Sequence, residues 1–115
     1  MNHESRRARY LRDPIPTRLG NLAANLARIS TCLSRPGLAA AALVALDESK
    51  WFIEWTAMEV ADDVRPEMIR LQVDLALWQL RWAKVTSDPE FQNEVARIAR
   101  QRSNQVLEWS GLLNR

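Results

Sequence analysis

Between Met68 and Val85 the residues Met68, Leu71, Leu75, Trp78, Trp82 and Val85 recur at steps of three, four, three, four and three. An α-helix, with 3.6 residues per turn, keeps that spacing on one face. The alternation is that of a knobs-into-holes seam. Ile69, Val73, Ala76, Leu80 and Ala83 form a separate stripe on another side of the same helix. Only Arg70, Asp74 and Arg81 give it a definite charged strip. A helix with so much apolar circumference is expected at the centre of a bundle or at a subunit interface.

The rest of the chain reads in the same way. Leu19, Leu22, Ala23, Leu26, Ile29 and Leu33 predict an amphipathic helix, with Thr17 as its N-cap and Arg35-Pro36-Gly37 as its stop. Asn21, Asn25 and Arg28 lie opposite that stripe, so this helix is expected on the outside with one buried face. A second helix should run from about Leu38 to about Met58. Leu38, Ala42, Leu46, Ile53 and Ala57 form its main stripe, and Val44, Trp51 and Trp55 form another on a different side. Pro66 fits the first turn of the third helix, the one with the seam. Ser87-Asp88-Pro89 then stops and restarts the chain, with Asp88 capping and Pro89 at the first helical position. The fourth helix carries Phe91, Val95, Ile98, Val106, Trp109 and Leu113, a face interrupted by Arg102. Short connections favour antiparallel neighbours, so the fold class is all-α, a four-helix up-down bundle over residues 17–115. Residues 1–16, with Arg6, Arg7, Arg9 and Arg12 around Tyr10, read as a basic arm, partly disordered or a short helix.

Composition narrows the function classes. One cysteine, Cys32, excludes an internal disulfide and fits a reducing compartment; on an apolar helix face it reads as a small buried hydrophobe. The first sixteen residues have no apolar segment of the secretory kind. The longest apolar run, 38–46, is far short of the ~20 residues of a membrane span. A cytoplasmic protein is expected. The net charge of +2 conceals a segregation: residues 1–35 hold seven Arg against Glu4 and Asp13, while residues 36–75 hold three basic residues against eight acidic ones. Such segments can attract each other within a chain or between subunits.

Catalytic constellations are sparse. The only histidine, His3, lies in the arm, so no ordered Cys-His or Ser-His pair and no helical zinc-ligand set is formed. No phosphate-cradling glycine loop occurs. Glu59, Asp62, Asp63 and Glu67 gather around the turn before the third helix, and hard cations accept such carboxylates. Helix capping and a solvated acidic loop explain them as well, and Glu59/Asp62 lacks the second acidic pair of helical nucleotide pyrophosphatases. No catalytic residue and no cofactor is assigned. Arg102 is expected to pair with Glu48, Glu54 or Asp74. The arm residues Arg6, Arg7, Arg9 and Arg12 are the nucleic-acid candidates, although no recognition-helix motif accompanies them.

The tryptophan pairs Trp51/Trp55 and Trp78/Trp82, spaced i,i+4, each place two rings on one helix face. They suit a core, a twin subunit or a ligand cage, and the cage lacks polar anchors. Tyr10-Leu-Arg-Asp-Pro14, Thr17 to Ser30, Glu48-Ser-Lys-Trp-Phe-Ile-Glu-Trp55 and Leu75-Ala-Leu-Trp78 resemble a family of small, uncharacterised cyanobacterial helical proteins. The resemblance implies a prokaryotic cytoplasmic setting and a helical domain, and it carries over no activity or site residue. The reading reached is a non-catalytic interaction or scaffold protein, a homodimer or the partner of another protein. Val44, Trp51, Trp55, Trp78 and Trp82 form the expected interface. A small nucleic-acid-associated regulator using the arginine arm is the alternative.

Overall fold

The computed structural model describes residues 3–114, which form helices and turns with no strand among them. Six α-helices follow one another: α1 His3–Leu11, α2 Ile15–Leu33, α3 Ala39–Thr56, α4 Arg65–Leu80, α5 Trp82–Ser87 and α6 Pro89–Ser110. Short 3-10 turns follow α3 at Ala57–Glu59 and α6 at Leu112–Asn114.

The stops and caps follow from local chemistry. Gly37, at φ 81°, takes the left-handed backbone that reverses the chain between α2 and α3. The Asp88 carboxylate accepts from the Glu90 and Phe91 amides at 3.1 and 3.3 Å, satisfying free donors at the start of α6. Gly111, at φ 74°, closes that helix. Thr17, expected as a cap, instead lies inside the first turn of α2. Extended Pro14 holds the cap position and Pro16 the first turn, where a missing N–H costs nothing.

The centre of the molecule is α2, not the seam helix. Leu19, Leu22, Ala23, Leu26, Ile29, Cys32 and Leu33 are all buried, and α2 packs against both α3 and α6. Of the polar residues expected to face water, Asn21 and Arg28 do, but hydrogen bonds carry Asn25, together with Arg18, into the interior. Asn25 is buried and donates to Glu48 Oε1 at 2.8 Å; Arg18 is buried among oxygen acceptors. The Ser103 hydroxyl of α6 donates to the Ala23 carbonyl at 2.7 Å, fixing the α2–α6 contact. Gly20 leaves room for Leu112: a Cβ there would lie 2.9 Å from Leu112 Cδ1.

The seam residues Met68, Leu71, Leu75, Trp78 and Val85 are buried, with Trp82 packed beside them. The helix carrying them is nevertheless divided. At Arg81 the backbone leaves the α region (φ −101°, ψ 24°), although the Arg81 amide still reaches the Leu77 carbonyl. The break redirects the chain, so that α4 packs on α3 and α5 on α6. Of the two settings expected for this helix, the centre of a bundle or a subunit interface, the first therefore holds only in part. Only its seam is inside, and the second stripe of α4 faces outward.

Candidate interaction surfaces

The first surface is the aromatic plate of α3. Trp51 and Trp55 stack with ring centroids 6.1 Å apart, and α1 lies across them. His3 meets Trp51 edge-on at 4.2 Å and Trp55 at 5.2 Å. Tyr10 stacks on Phe52 at 4.1 Å with the rings 8° from parallel, and its centroid is 5.7 Å from Trp55. Both tryptophans are thereby half-buried within one chain.

Tyr10 is what anchors α1. Its hydroxyl donates to the Arg18 carbonyl at 2.9 Å and accepts from Thr56 at 3.3 Å. Burial withdraws the phenol from water and pushes its pKa up to about 12. Arg18 adds a second fastening, reaching the carbonyls of Asp13 and Leu11 and the Glu59 carboxylate at 2.8, 3.2 and 2.9 Å. Arg6 pairs with Glu48, whose other oxygen receives Asn25. The leading segment thus has a docked helix at residues 3–11. Of the arm candidates, Arg6 is engaged, while Arg7, Arg9 and Arg12 stay exposed. A cavity of about 470 Å³ between α1, α2 and α3 is lined by Arg6, Arg9, Tyr10, Asp13, Glu48 and Phe52, among others.

The second surface is on α4. Ile69, Val73, Leu77 and Leu80 are 49%, 52%, 46% and 82% exposed, and Ala76 between them is exposed as well. At about 100° per residue these positions fall on one side of the helix, turned well away from Met68, Leu71, Leu75 and Trp78. One flank carries Gln72 and Gln79. Gln79 accepts from Lys50 Nζ at 2.5 Å and donates to Asp47 at 3.3 Å. A groove of about 480 Å³ along this flank is lined by Leu43, Val44, Asp47 and Gln79, among others, and Val44 is 67% exposed. The other flank carries Arg70, Asp74 and Arg81. Arg102 of α6 donates to Asp74 at 3.2 Å and to Gln105 at 2.9 Å.

The expected interface residues are therefore not one surface. Trp78 is buried and Trp82 packs against the core, so the outward face of α4 belongs to the neighbouring stripe. Trp51 and Trp55 lie under α1, and Val44 lies in the groove beside α4. The exposed set Ile69, Val73, Leu77 and Leu80 was not among those residues. Its signal was the second stripe, and periodicity alone ranks the two stripes equally.

The carboxylates around the start of α4 point to separate partners. Glu59 meets Arg18, Asp62 meets Arg65 at 3.0 Å, and Glu67 meets Arg70 at 3.1 Å and Arg102 at 3.7 Å. Among the described residues no three His, Cys, Asp or Glu side chains gather as a metal site. None of the described helices is long and apolar enough to cross a membrane. No family model matches the chain, and no curated protein or solved structure matches it either.

Proposed function

We propose that this protein is a non-catalytic helical interaction or scaffold protein that self-associates, and that its working surface is the outward face of α4 with Val44 alongside. One observation carries the reading: four large aliphatic side chains stand exposed on consecutive turns of an otherwise well-packed molecule. The long helices α2, α3, α4 and α6 are taken as an up-down bundle, with α1 laid on its side. A cytoplasmic setting and kinship with the small cyanobacterial helical proteins belong to the same proposal. Sedimentation velocity from one to several hundred micromolar tests it. A concentration-dependent shift from monomer to dimer is expected, and a monomer throughout overturns the reading.

A second reading has its own support in the exposed Arg7 and Arg9 on α1 and Arg12 just beyond it. Arginines in that density suit a phosphate backbone, and binding would weaken steeply with salt. Replacing all three by Ala would abolish such binding, and unchanged binding would count against the arm.

A further inference from the structure

We infer that the cavity between α1, α2 and α3 binds a small zwitterion, a free α-amino acid with a large apolar side chain. No α4 residue lines this cavity, and the inference does not rest on self-association.

Size and lining fit a ligand of that class. The cavity holds about 470 Å³, within the ~300–1,000 Å³ of small-molecule sites. Phe52 and Tyr10, stacked on each other, give it an aromatic wall. Around the rest, Arg6 and Arg9 stand against Glu48 and Asp13, so the lining is balanced in charge. A ligand with several negative charges, such as a nucleotide, meets two carboxylates there, and a bare cation meets two guanidiniums. A molecule with one charge of each sign satisfies both.

The lining charges are not all matched within the chain. Arg6 is paired with Glu48. The Arg9 guanidinium, the Asp13 carboxylate and the Asn21 side-chain amide make no hydrogen bond or ion pair among the described residues. Arg9 and Asp13 are four positions apart, yet α1 ends at Leu11 between them. The placement that brings such residues together on a continuous helix is therefore lost. One cation and one anion line the same cavity without meeting each other. The Arg9 fork suits the carboxylate of an amino acid, and Asp13 suits its ammonium group. Asn21 can donate to the first or accept from the second.

The frame behind these groups is fixed. The Asp13 amide donates to the Tyr10 carbonyl at 3.2 Å, and buried Arg18 holds the Asp13 carbonyl at 2.8 Å. Glu48 is held by the buried Asn25 at 2.8 Å, and Arg28 donates to Asn25 in turn at 2.6 Å. Groups held in this way lose little freedom when a ligand arrives. The cavity is open to water, so ion pairs in it are screened and a dissociation constant on the order of 0.1–1 mM is expected.

The experiment is a titration of the isotope-labelled full chain with L-phenylalanine, followed by amide shifts in nuclear magnetic resonance. Saturable shifts are expected in α1, around Asn21 and between Glu48 and Phe52. Phenylpropionate, which lacks the ammonium group, and phenylethylamine, which lacks the carboxylate, should each bind at least tenfold more weakly. Arg9→Gln lies at an exposed site, and Asp13→Asn keeps the carbonyl that Arg18 holds. Each should weaken phenylalanine binding at least tenfold while the far-ultraviolet circular dichroism stays unchanged. Absence of any saturable shift up to about 20 mM, well above the expected constant, overturns the site. Phenylalanine binding that both variants leave intact, or that either truncated compound matches, overturns the recognition of a zwitterion.

Discussion

The aromatic plate of α3 and the aliphatic stripe of α4 are both apolar faces left over after the core is filled, and the chain treats them differently. The plate has a cover. The nine-residue helix α1 lies on Trp51 and Trp55, held by Tyr10 inside and by Arg6 on Glu48 at the rim. The stripe has none, and its four large side chains face water. Large aromatic rings with a polar, arginine-rich segment nearby draw most attention in the sequence, yet here they are largely satisfied within one chain. Residue type marks a surface that must be covered; topology decides whether the cover comes from the same molecule.

Breaking the cover tests that contrast most severely. Tyr10→Ala removes a buried ring and the hydroxyl that joins α1 to α2 and α3, and it should cost about 3–5 kcal/mol in urea unfolding. Tyr10→Phe keeps the stack on Phe52 and loses the hydroxyl bonds, at about 1–2 kcal/mol. A smaller effect than that of Tyr10→Ala is expected from alkali. The phenol titrates near 10 in the unfolded chain and near 12 in the folded one. The unfolded state therefore releases its proton first, and stability present below pH 10 declines as pH rises towards 12. At about 1.4 kcal/mol per unit the loss is on the order of 2–3 kcal/mol. Tyr10 is the chain's one tyrosine, so ultraviolet absorbance of the phenolate reports it directly.

Glu48→Ala leaves Arg6 and the Asn25 amide without their carboxylate. Because that group is partly exposed, a loss of about 1 kcal/mol is expected, with readier quenching of Trp51 and Trp55 fluorescence by acrylamide. The stripe should stand at the far end of the scale. Leu80→Glu is expected to change monomer stability by less than about 0.5 kcal/mol in dilute solution. A large destabilisation there would show that the stripe belongs to the fold of one chain, and the contrast with α3 would collapse.

Much of the helical content was legible because it rests on short-range signals. The 3-4 spacings gave the helices, Asp88-Pro89 gave the start of α6, and Asp74 was among the partners expected for Arg102. What was not legible depends on distant groups. Asn25 and Arg18 reach the interior only because Glu48, Glu59 and backbone carbonyls meet them there. The helical α1 depends on one tyrosine fitting between α2 and α3. The two stripes of α4 are nearly equal in apolar content, so which one enters the core is set by the packing of α3 and by the turn at Arg81. The candidate surface was visible as a second stripe, but its exposure was not.

The central position of α2 also bears on how the chain is made. One of its neighbours, α3, follows within a few residues, whereas Ser103 reaches Ala23 across 80 positions. During synthesis the leucines on the α6 side of α2 emerge from the ribosome long before the helix that shelters them. The pair α2 and α3 can gather early, but the interior closes only when α6 has been released. Truncation in the last two turns of α6 is therefore more damaging to folding than its distance from the N-terminal half suggests.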